Sequence, residues 1–119
     1  MKTQSLQEKT FRFALPTNFG KKHFAIEQII RLESDSNYTY VHFSDRKPLL
    51  VARVLREFEI LLTPLGFIRT HRSHLVNKCH ITGMDEEGYI SLSDESKAAI
   101  SRRRRKIVIN EINPPFLAA

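Results

Sequence analysis

Three stretches of this 119-residue chain hold side chains whose types and spacing could do chemistry. Phe67 to Asn77 carries Arg69, His71 and Arg72, with Ser73 and Asn77 as small hydrogen-bonding groups. The planar fork of an arginine matches both the O6/N7 edge of guanine and a phosphate. The same residues also suit a solvated strand end with a structural turn, because charge runs usually face water. Ser101 to Lys106 places Arg102, Arg103, Arg104 and Arg105 at the start of a helical pattern. Cations at that end oppose the helix dipole by roughly 0.3 kcal/mol or more each. The arrangement makes sense where a phosphate meets both amides and guanidinium groups. The plain alternative is a surface helix with a chance basic run. Asn37-Tyr38-Thr39-Tyr40 forms a polar and aromatic loop tip, suited to bases or sugar-phosphate and equally to an ordinary turn.

Two further patterns suggest other chemistry. His71, His74, Cys79 and His80 cluster within ten residues and raise a zinc site. Zinc needs four converging ligands, the spacing fits no common motif, and an extended chain sets His71 and His74 on opposite faces. No metal site is therefore expected. Asp85…Glu95-Ser96-Lys97 resembles the D…E-x-K pattern of magnesium-dependent nucleases. It is short, and it lies in an acidic region away from the basic segments. No catalytic residue and no cofactor are assigned. A protein-interaction module that never touches nucleic acid is the remaining alternative.

The elements that must position these residues read mainly as short strands. Phe11 to Leu15 alternates Phe11, Phe13 and Leu15 inward with Arg12 and Ala14 outward. Ile29 to Ser34, Tyr38 to Phe43, Leu49 to Ala52, Phe67 to Thr70, His80 to Met84, Tyr89 to Ser93 and Ala98 to Ile100 follow. Ser44 to Pro48 reads as a hairpin turn, and Asp85 to Gly88 as another with Gly88 left-handed. Two segments are helical. Val54, Leu55, Phe58, Leu61, Leu62 and Leu65 fall on one face of a helix over about 54–65, which Pro64 and Gly66 stop. A C-terminal helix over about 102–112 has Ser101 as N-cap, Ile107, Val108 and Ile112 toward a core, and Pro114 as its stop. The organisation is an N-terminal tail at 1–10, one domain at 11–112 and a C-terminal tail at 113–119.

Bulk properties narrow the class. The length allows one core. The net charge is +6, which favours polyanions. Asp85 to Lys97 reverses that sign with five acids against one lysine, so a polar field is expected if the fold separates the segments. The N-terminus has no secretory h-region, no apolar run is long enough to span a membrane, and Cys79 is the single cysteine. A cytoplasmic protein without a membrane partner is expected.

The succession Leu32-Glu33-Ser34…Asn37-Tyr38…Val41, an amphipathic helix, Phe67-Ile68-Arg69-Thr70-His71-Arg72-Ser73-His74-Leu75-Val76-Asn77 and Ser101-Arg102-Arg103-Arg104-Arg105 closely resembles the LytTR family of bacterial DNA-binding domains. The similarity spans roughly residues 11–112. It implies a mainly β fold of small stacked antiparallel sheets with little helix. It implies sequence-specific binding of double-stranded DNA, as the output domain of a two-component response regulator that controls transcription. Pairing on direct repeats is also implied. By matching motifs, Asn37, Thr39, Arg72 and Arg102 are the base readers, and Arg69, Lys78, Arg103 and Lys106 the phosphate contacts. His71, Leu75 and Val76 would be packing residues. Family members often have Ser or Thr where Val54 stands, so a cap of roughly 1 kcal/mol is missing here. Tyr is common at the His74 position. About ten residues precede the first strand, with no receiver domain among them. Either a separate signalling protein supplies control, or the chain is a fragment.

Overall fold

A computed structural model describes residues 12–112. Phe11, Pro114 and the two tails expected at 1–10 and 113–119 lie outside the described residues. The strands are β1 (Arg12–Thr17), β2 (Gly20–Ala25), β3 (Ile29–Asp35), β4 (Tyr38–Phe43), β5 (Leu49–Val51), β6 (Phe67–His71), β7 (His74–Asn77), β8 (Ile81–Met84), β9 (Tyr89–Leu92) and β10 (Lys97–Ala99). The helices are α1 (Leu55–Leu62) and α2 (Arg105–Ile112). Single 3-10 turns extend α1 over Thr63–Leu65 and precede α2 over Arg102–Arg104.

The strands form three antiparallel sheets: β1-β2, β5-β4-β3-β7-β6 and β10-β9-β8. The five-stranded sheet is the middle layer. One face packs on the β1-β2 hairpin and α1, through Leu15, Phe24, Leu32, Val41, Phe58, Leu62, Phe67 and Leu75. The other packs on the three-stranded sheet and α2, through Ile30, Ile68, Val76, Ile81, Ile90, Leu92 and Val108. Neighbours such as Phe67 and Ile68, or Leu75 and Val76, serve opposite cores, as the two-residue period requires.

Two strands escape the pattern analysis. β7 is buried on both faces, so it has no polar alternation to read. β2 begins with four exposed residues, Gly20 to His23, and reads as loop. In α1, Leu55, Phe58 and Leu62 are buried, but Val54 is 41% exposed. Val54 occupies the N-cap with extended backbone, which turns its side chain off the helix face. Gly66, at φ 100, ends the following turn in the left-handed region that favours glycine. In α2, Val108 and Ile112 are buried, whereas Ile107 is 62% exposed and not in the core. Among the described residues no helix is long and apolar enough to cross a membrane.

Candidate nucleic-acid interface

The β6-β7 turn is built around Arg69. Its Nε donates to the His71 carbonyl (2.9 Å) and its Nη2 to the Arg72 carbonyl (2.6 Å). Its Nη1 meets Glu59 Oε1 of α1 at 2.5 Å. The Ser73 amide donates to His71 Nδ1 (3.1 Å) and tightens the turn further. Arg72 therefore stands exposed on a fixed backbone. Arg69 does not: its side chain is 14% exposed and its charge is matched by Glu59. In this structure Arg69, expected as a phosphate contact, braces the turn from behind.

The arginine-rich segment is held beside this turn. Thr70 Oγ1 donates to the Ala99 carbonyl (2.9 Å), and the Ser101 amide donates to the Thr70 carbonyl (2.9 Å). Ser101 caps the next turn, accepting from the Arg104 amide at 3.2 Å. The result is an open groove of about 410 Å³ lined by His71, Arg72, Ser101, Arg102, Arg103 and Arg104. Arg102, Arg103 and Lys106 are exposed. Its cations and the Ser101 turn make the groove a cradle for anionic oxygens.

The third feature reaches the same end of the sheet through strand register. Glu33 lies opposite His74, and the Ser34 amide donates to the Ser73 carbonyl (3.0 Å). Two residues later the chain turns at Ser36-Asn37, with Asp35 opposite Tyr38. Asn37 is thus exposed at a tip adjacent to the Arg72 turn. Thr39 is not at that tip. It is fully buried, and its hydroxyl donates to the Arg53 carbonyl (2.7 Å), so its expected place as a base reader is withdrawn. Lys78 also departs from expectation. It lies beyond the far end of β7, about 13 Å of strand from the turn, and pairs with Glu111 (3.1 Å).

Beneath the turn lies a polar cluster that the motifs do not announce. Glu33 accepts from Arg31 Nη1 (3.1 Å) and contacts His42 Nε2 (3.3 Å). Arg31 Nε donates to Ser96 Oγ (3.0 Å). His74 Nδ1 is buried without a partner. Burial pushes the His42 pKa down, and so does the charge of Arg31, against the opposing pull of Glu33. His74 is lowered by burial first, with Glu33 again opposing. Burial raises the Glu33 carboxyl, but Arg31, His42 and His74 outweigh it and hold it below the ordinary glutamate range. The one signal in the sequence was the alternation of Arg31 and Glu33 about the apolar Leu32.

The His71 and His74 rings do not point apart. The hairpin reverses the chain and brings their centroids to 5.5 Å. Cys79 and His80 nevertheless lie at the other end of β7, where His80 Nε2 donates to the Glu27 carbonyl (2.6 Å). Asp85 pairs with Lys97 (3.2 Å), but Glu95 sits in the turn at the opposite end of β9. Among the described residues no three His, Cys, Asp or Glu converge on a metal position.

Exposed arginines on a three-layered β scaffold form a surface suited to an anionic partner. Residues 21–112 match the family model of the LytTr DNA-binding domain, and the chain belongs to that family. The architecture agrees with a solved structure described as the LytTr DNA-binding domain of a methyl-accepting/DNA response regulator from Bacillus cereus. The two are 25% identical, with a TM-score of 0.70, over 87% of this chain and 97% of that one. No curated protein matches the chain.

Proposed function

We propose that the chain binds double-stranded DNA sequence-specifically and without catalysis, as the output domain of a bacterial transcriptional regulator. One observation carries this reading: hydrogen bonds and strand register gather the Asn37 tip, Arg72 and Arg102 at one end of the central sheet. Arg72 and Arg102 read base edges, with Asn37 beside them. Arg103 and Lys106 hold the backbone and set register. Arg69 and Thr39 act behind this surface, as supports. Pairing of two copies on a direct repeat, and control by a separate signalling protein, belong to the same reading.

In vitro selection from random duplexes tests it. A single enriched motif is expected, and engagement of six phosphates gives a log-log salt slope of about −5. Absence of a motif, or a flat salt response, overturns the proposal and favours a module that binds only protein.

A further inference from the structure

We infer that the β5 edge of the central sheet, opposite the edge formed by β6, carries a second surface, which docks an acidic segment of a partner protein through one or more aromatic or aliphatic side chains. A groove of about 360 Å³ opens there between the β1-β2 turn and the β4-β5 turn. Its apolar lining includes Phe19, Phe24, Phe43 and Leu50, with Lys22 and Lys47 at the rim. The Phe24 and Phe43 ring centroids are 5.0 Å apart, and the Arg46 guanidinium lies over both, 5.3 and 5.0 Å from their centroids.

Phe19 is 86% exposed, yet the turn that bears it is anchored. Asn18 Nδ2 donates to the Leu50 carbonyl (3.2 Å), and Asn18 Oδ1 accepts from the Ala52 amide (2.8 Å). The Phe19 amide donates to Thr17 Oγ1 (3.1 Å). A large apolar side chain fixed outward beside further exposed apolar surface marks an interaction site.

Charge selects the occupant. No acid lines the groove, and among the described residues Lys22 and Lys47 make no ion pair. Arg46 is matched by its neighbour Asp45 (3.0 Å). The remaining positive charge calls for carboxylates, and the exposed Phe19 and Leu50 call for an apolar side chain, which a phosphate backbone lacks. Position separates the two surfaces. The groove runs along β5, one edge of the five-stranded sheet, whereas the Arg72 turn joins β7 and β6 at the opposite edge, three to four strand spacings or about 14–19 Å away at ~4.8 Å each.

Random twelve-residue peptides displayed on phage, panned against the whole chain, test the inference. Enriched peptides should carry excess Asp and Glu with at least one Phe, Trp or Leu. Their affinity should fall at least tenfold in Phe19→Ala and in Lys47→Glu. Both positions are exposed, so circular dichroism should show the fold unchanged. Affinity of both variants for random-sequence duplex DNA should stay within about twofold, and added duplex should not displace the peptide. Peptides without acidic bias, or peptides that bind both variants equally, overturn it. So does loss of DNA affinity in Phe19→Ala, or a dimer in sedimentation that Phe19→Ala dissolves, since either shows a different occupant.

Discussion

At the residue scale, the arginines divide by what their guanidinium groups already touch. Arg72 and Arg102 are exposed in one groove, whereas Arg69 is occupied by Glu59 and two carbonyls. Arg72→Ala or Arg102→Ala is expected to cost about 1–3 kcal/mol on the selected site and to relax specificity there. Lys106→Ala should weaken all duplexes alike. Electrophoretic titration of cognate and scrambled duplexes separates the cases, and unchanged cognate affinity in Arg72→Ala removes it from the readers. Arg69→Ala should act differently. It leaves Glu59 and the turn carbonyls without their donor, which costs roughly 1–3 kcal/mol of folding free energy, measured by urea unfolding. Its DNA affinity should fall even where the chain is fully folded, because the Arg72 turn loses its staple. The arginine-rich stretches were legible because guanidinium chemistry announces itself in composition. What each arginine touches was not, since the partners of Arg69 come from a helix ten residues away and from the turn itself. Thr39 failed for a related reason. The turn is only two residues long, Ser36-Asn37, which makes Thr39 an inward-facing position of β4 rather than part of the tip.

At the scale of elements, the two helices contrast in how they begin. Ser101 supplies a side-chain cap to the turn ahead of α2, whereas Val54 offers α1 none. Val54 already has cap-like extended backbone, at ψ 152, and is exposed. Val54→Asp is therefore expected to stabilise the domain by about 0.5–1 kcal/mol, and Ser101→Ala to destabilise it by about 1 kcal/mol. Both shifts should appear as changes in the urea midpoint at constant m-value. Ser101→Ala should also weaken DNA binding, because the same turn carries Arg102 to Arg104. The first helix was legible from apolar spacing and its Pro64 and Gly66 stop, and the second from Ser101, Val108 and Ile112, with Ile107 facing outward instead. β7 was not, because a four-residue strand buried on both faces has no alternation. Missing β7 hid the main positional fact, since its pairing with β3 and β6 brings Asn37 alongside Arg72. The reversal between β6 and β7 likewise places His71 against His74, where an extended chain would separate them.

At the scale of the molecule, basic and acidic segments are separated less completely than the sequence suggests. The acidic Asp85–Gly88 turn comes close to Arg105: a Cβ on Gly88 would lie 3.0 Å from its Nη1. Stability couples to pH through the cluster under the Arg72 turn. His42 and His74 both have folded pKa values below the ordinary 6.5, with burial as the first cause. As pH falls through about 6.5, the unfolded chain takes up protons that these two sites refuse when folded. The unfolded state then binds more protons, so stability declines with falling pH. Glu33, held below its ordinary 4.5, acts in the same direction lower down, since the unfolded carboxyl protonates before the folded one. Stability should thus be greatest above about pH 7 and fall in two stages, first below about 6.5 and again near 4.5. Thermal melts at steps between about pH 8 and pH 4 measure this, each kcal/mol appearing as about 4–8 °C in a domain of this size. In His74→Tyr the first stage should shrink, because one of its two histidines is gone. A melting temperature that stays level between about pH 7.5 and pH 5.5, or a His74→Tyr curve with an undiminished first stage, shows that His74 does not resist protonation in the fold.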